Sequence, residues 1–144
     1  MSLFTNLSWP RGRKPRRARL LERLDSILPW HELESLAAPL YPAPTSGRPP
    51  YPLRLMARVW VLQFLYSLSD ESTEDQLLDA HSAASFVGID PWRPRPPGAT
   101  AIRNFRLLVD RVPAFRLAVS DALISAGADL RLGQIREPVL RCRP

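Results

Sequence analysis

Apolar residues recur along this chain at helical rather than strand spacing. Leu20, Leu21, Leu24, Ile27 and Leu28 fall on one side of a helix that follows Pro15. Leu33, Leu36, Ala37 and Leu40 predict a short second helix begun near Pro29. Pro52 suits the first position of a third helix, reaching about Ser67. Leu53, Leu55, Met56, Val59, Trp60, Val61, Leu62, Phe64 and Leu65 make that helix apolar nearly all round, so it reads as the central buried one. Ser69, followed by Asp70 and Glu71, reads as the cap and acidic first turn of a fourth helix, to about Ala80, with Leu77 and Leu78 inward. Ser82 to Val87 predicts a fifth, ended by Gly88. A sixth begins near Ala99 or Thr100 and turns Ile102, Phe105, Leu108 and Val109 to the core. Pro113 starts a seventh, striped by Phe115, Val119, Ala122, Leu123 and Ala126, with Gly127 as its stop. No segment alternates long enough to argue a strand. The expected fold is all-α, a compact domain of six to seven helices.

Proline marks the connections. Pro39, Pro42, Pro44, Pro49, Pro50 and Pro52 cluster, as do Pro91, Pro94, Pro96 and Pro97, and both stretches read as ordered loops. Charge then separates the ends from the middle. The 144 residues carry 20 basic and 14 acidic side chains, a net +6, and Lys14 is the sole lysine. Residues 1–28 hold a net +5, residues 29–126 a net −1 and residues 127–144 a net +2. This predicts a flexible basic N-terminal arm (1–19), a helical domain (20–126) and an irregular C-terminal tail (127–144).

Composition removes several classes. An apolar content of 45% is too high for a disordered polyelectrolyte. Cys142, the only cysteine, rules out a disulfide framework, and with only His31 and His81 beside it no Cys/His zinc finger can be written. The longest apolar stretch, Val59 to Leu65, is broken by Gln63 and falls far short of the ~20 residues of a membrane span. The N-terminus lacks the pattern of a signal peptide, so a cytoplasmic location is the expectation. The basic ends point to a polyanion as partner.

The most informative surface lies on the sixth helix. With Ile102, Phe105 and Val109 inward, Thr100, Arg103, Asn104 and Arg106 are left outward. Arginine pairs with guanine and asparagine with adenine in the major groove, and a threonine near a helix start suits a phosphate. Short helices precede it, as in a helix-turn-helix. A solvated helix face with ordinary outward arginines explains the same residues, and on spacing alone it is the simpler reading. Arg11, Arg13, Lys14, Arg16, Arg17 and Arg19 suit phosphate contacts by the arm, or plain solubility. Asp70, Glu71, Glu74, Asp75 and Asp79 read as an exposed acidic face, with no further ligands for a metal. His31 and His81 have no evident nucleophile or acid beside them. Arg54 and Arg58 reach phosphates only if they lie at an exposed end of the central helix. No glycine-rich phosphate loop, catalytic constellation, metal site or cofactor site is expected.

Three stretches carry a family resemblance. LERLDSILPWHELESLAAPLYP (21–42), GRPPYPLRLMARVWVLQFLYSLSDESTEDQLLD (47–79) and TAIRNFRLLV (100–109) resemble the N-terminal part of bacterial InsH-type transposases of the IS-five group of insertion sequences. The most specific pieces are Leu28-Pro29-Trp30, Gly47-Arg48 with Tyr51-Pro52-Leu53, Leu68-Ser69-Asp70 and Asn104-Phe105-Arg106. The resemblance implies a helical region that binds the element's terminal inverted repeats. It also implies a following RNase H-like domain whose Asp-Asp-Glu triad holds metals for strand cleavage and joining. The stretch from Leu130 to Leu140 does not match the strand that would carry the first triad aspartate, and neither Asp129 nor Glu137 aligns with the triad. The chain reads Thr100-Ala101-Ile102 where the family usually has Thr-Thr-Ile. The expectation is therefore a binder of double-stranded DNA, at the element's ends, without a catalytic domain of its own. The alternatives are a helical multimerisation module that pairs with itself or with full-length transposase, as an inhibitor of transposition, and a decayed fragment.

Overall fold

The computed structural model describes residues 15–43, 50–89 and 95–129. Among them the chain is all-α: α1 (Arg16–Ile27), α2 (Trp30–Ala37) followed by a 3-10 turn (Ala38–Leu40), α3 (Leu53–Tyr66), α4 (Asp70–Asp79), α5 (His81–Val87), α6 (Ala99–Asp110) and α7 (Pro113–Asp129). The helix starts follow the sequence signals. Pro15, Pro29 and Pro52 stand just before α1, α2 and α3, where a missing N–H costs nothing. Ser69 caps α4, its Oγ accepting from the Ser72 N–H at 3.0 Å. Gly88 ends α5 in the left-handed region (φ 86°), with the Gly88 and Ile89 N–H groups both returning to the Ala84 carbonyl.

Helix α3 is the centre, with α2, α4, α5 and α6 packed around it. From Met56 to Gln63, and again at Leu65, it buries side chains on all sides, as its composition requires. An aromatic chain ties it to the last two helices. Trp60 stacks on Phe64 at 5.0 Å and meets Phe115 edge-on at 5.1 Å, and Phe115 meets Phe105 of α6 at 6.3 Å. The two tyrosines of the proline-rich segments hold those segments down. Tyr41 donates to the Tyr51 carbonyl, and Tyr51 donates to the Pro96 carbonyl at 3.3 Å.

Three expectations change. Leu78 points outward, 62% exposed, while Leu77 and Thr73 are the buried residues of α4. Gly127 does not stop α7, which continues to Asp129; a helical glycine costs only about 1 kcal/mol relative to alanine, and no neighbouring atom crowds this one. Arg16 to Arg19, expected in the basic arm, are the first residues of α1. The Arg11, Arg13 and Lys14 positions and the tail from Leu130 lie outside the described residues.

Candidate nucleic-acid interface

The outward face of α6 is built from its inward one. Ile102, Phe105 and Val109 are buried, which fixes the helix rotation and turns Thr100, Arg103 and Asn104 to solvent. Leu107, 45% exposed, joins them, an apolar contact that sequence reasoning missed. Its wheel position, one turn beyond Arg103 and Asn104, was the available signal.

Arg106 stands apart from these. Its Nε and Nη2 donate to the two carboxylate oxygens of Asp70, at 3.1 and 2.9 Å, a two-pronged clamp from α6 to the first turn of α4. Gln63 of α3 donates to the same carboxylate at 2.8 Å. The Arg106 bond holds the Asp70 carboxyl below its usual range and raises the guanidinium in turn. Arg106 was expected outward; at 100° per residue it sits about 40° from Ile102, on the flank of the buried arc, and is half-buried there.

A second contact orders the start of α6. Glu74 Oε2 accepts from the Ala99 N–H at 3.2 Å, so α4 supplies a carboxylate to the positive end of the α6 dipole. The acidic α4 face is thus partly used inside the molecule. The same contact means that a phosphate near Thr100 meets a carboxylate already in place on the Ala99 N–H.

The remaining basic candidates divide. Arg17 is docked: its Nη1 donates to Gln76 of α4 at 2.8 Å and its guanidinium lies 4.6 Å from the Tyr66 ring centre. Arg16 and Arg19 are exposed on α1. Arg58 is no surface contact at all. It is buried in α3, paired with Asp25, donates to the Phe86 carbonyl at 3.1 Å and lies 4.2 Å from the Trp30 ring centre. Burial lowers its pKa and the Asp25 hydrogen bond pulls it back. Arg54 is exposed and paired with Glu34 at 2.6 Å.

The α5–α6 connection runs from Gly88 to Gly98, longer than the about three or four residues of a helix-turn-helix turn. Among the described residues no group of three His, Cys, Asp or Glu side chains is placed to hold a metal ion. No described helix is long and apolar enough to cross a membrane.

The sequence model of the family described as Transposase domain (DUF772) matches residues 10–107, well over half of the chain. The chain belongs to that family. No solved structure matches it. The matched transposase domain spans α1 to the last turn of α6, so every candidate from Arg11 to Arg106 lies within it, and α7 lies beyond. A transposase family implies interaction with DNA.

Proposed function

We propose that this transposase domain binds double-stranded DNA and that the exposed face of α6 reads it from the major groove. Arg103 and Asn104 take base edges, Leu107 supplies apolar contact and Thr100 adds a hydroxyl. Arg106 is a positioning residue: through Asp70 it sets the angle at which α6 is offered. The observation that carries the reading is the division of labour on α6. Three hydrogen-bonding side chains are exposed together, on a helix whose other side is buried and whose flank and start are held by Asp70 and Glu74. Arg16 and Arg19, with Arg11, Arg13 and Lys14 before them, suit phosphate contacts, which add affinity without sequence preference. The resemblance to InsH-type transposases of the IS-five group makes the terminal inverted repeats of an insertion sequence the proposed target. In this reading the α1–α6 region recognises DNA and takes no part in strand cleavage. A second copy of the chain, or a full-length transposase, is the further partner it proposes.

The test is binding by fluorescence anisotropy at near-physiological salt, with duplexes carrying the inverted repeats of the insertion sequence that encodes the chain, and scrambled duplexes of the same composition. The reading predicts tighter binding to the repeats. Equal binding removes the sequence-specific claim.

A further inference from the structure

A cavity of about 360 Å³ opens between the start of α3, the end of α5 and the Arg95-Pro96-Pro97 segment that leads into α6. Its walls are mostly apolar, with Tyr51, Leu55, Val87, Ile89 and Pro97 among them. Three arginines also line it, Arg54, Arg58 and Arg95, and none of the described lining residues is acidic. The three differ in state. Arg54 is paired with Glu34 and Arg58 with Asp25, while Arg95 is exposed and has no ion-pair partner among the described residues. The Nε of Arg58 is buried with no hydrogen-bond partner, an uncommon condition for a buried donor.

This lining specifies a ligand. Arg54 and Arg58 are each offset by a carboxylate, so the uncompensated charge on the lining is that of Arg95, and it suits a ligand that carries an anion. The rest of the surface is apolar and includes one aromatic ring, so the anion is borne on a flat or apolar body. A lone inorganic ion would leave the apolar walls unfilled. The cavity also adjoins the proposed DNA-reading helix, because Pro97 is followed directly by Gly98 and the first turn of α6. We propose that this cavity holds one nucleotide unit, its base against Tyr51, Leu55 and Ile89 and its phosphate at Arg95. Only the source of that nucleotide, an unpaired position in bound DNA rather than a free nucleotide, rests on the DNA-binding reading. Tyr51 provides a face for stacking, which tolerates any base.

The experiment uses the full chain with labelled Leu, Val and Ile methyl groups. Free dAMP, adenosine and inorganic phosphate are titrated separately by NMR, to about 10 mM each, which detects millimolar affinity. The proposal predicts that dAMP shifts the Leu55, Val87 and Ile89 methyls, and that adenosine and phosphate bind at least about tenfold more weakly. Arg95→Glu abolishes the dAMP shifts, and Ile89→Trp does so by filling the space. Circular dichroism verifies that both variants fold; if Ile89→Trp fails to fold, Arg95→Glu on the open surface decides. A second arm compares a fully paired duplex with one bearing a single unpaired nucleotide. A preference of about tenfold for the unpaired form, lost in Arg95→Glu, assigns the site to DNA. Shifts with dAMP and no such preference assign it to free nucleotide. Absence of methyl shifts with dAMP, or shifts unchanged in Arg95→Glu, overturns the proposal. Failure of both duplexes to bind speaks against the α6 reading and leaves the dAMP arm to decide the cavity.

Discussion

Arg58 and Asp25 form the most deeply buried ion pair among the described residues, and removing one partner at a time exposes its cost. Their side chains keep only 6% and 7% of their exposure. Asp25→Ala strands a guanidinium that cannot lose its proton, with only the Phe86 carbonyl and the Trp30 face left beside it. Breaking a buried pair from one side costs about 3–5 kcal/mol. That is a large share of the 5–15 kcal/mol, roughly, that holds a domain folded. The expected drop in Tm is of order 10 °C, at about 2–4 °C per kcal/mol for a chain near this size. Arg58→Met strands the carboxylate and carries a similar cost. The double variant Asp25→Leu/Arg58→Met removes both charges, so it falls within about 1–2 kcal/mol of the native chain, the remainder reflecting the Phe86 carbonyl left without its donor. The assay is urea unfolding followed by far-UV circular dichroism, with all four proteins compared at constant m. Single substitutions that each cost under about 1 kcal/mol would mean the pair is solvated. A double variant as unstable as the two singles added together would mean the residues act independently. Either result refutes the burial argument.

Other consequences follow from the same contacts. Because Arg106 lowers the pKa of Asp70 in the folded chain, the unfolded chain binds the extra proton first. The stability from this contact is therefore present above about pH 4 and lost as pH falls further; Asp70→Asn flattens that part of a pH-dependent urea series. Ser69→Ala removes the acceptor for the Ser72 N–H and costs about 1 kcal/mol in thermal or urea unfolding. Gly88→Ala places a side chain at φ 86° and costs about 1–2 kcal/mol, read as a lower urea midpoint at unchanged m.

Most of the helices were legible because they carry their own punctuation. Proline before α1, α2 and α3, Ser69 before α4 and Gly88 after α5 are local signals, and the apolar spacing between them is local too. Gly127 shows the limit of such a signal: glycine permits a helix end but does not force one. The candidate site was legible in part. Thr100, Arg103 and Asn104 fall on the exposed face that their spacing predicts. The fates of Arg17, Arg58 and Arg106 were not, because each is decided by a residue distant in sequence: Gln76, Asp25 and Asp70. An arginine looks the same in a sequence whether it faces water or a buried carboxylate. The one hint was context, since Arg58 sits within an apolar run that leaves it nowhere to go but inward.

These three arginines also show how the fold serves the proposed interface. Arg58 fixes α3 against α1, α2 and α5, Arg17 joins α1 to α4, and Arg106 joins α4 to α6. The outward face of α6 is thus presented by a connected set of helices rather than by a free element, as a reading surface requires.

The central claim is that Arg103 and Asn104 read bases while Arg106 positions the helix. It is tested most directly by the ratio of affinities for inverted-repeat and scrambled duplexes, measured for the native chain, Arg103→Ala/Asn104→Ala and Arg106→Ala. Circular dichroism first verifies that each is folded at the assay temperature. Each good base contact carries about 1–3 kcal/mol of discrimination, roughly fivefold to 150-fold. The account predicts that the double variant loses most of the native ratio, whereas Arg106→Ala keeps the greater part of it at reduced stability. A double variant with the native ratio intact would contradict the account.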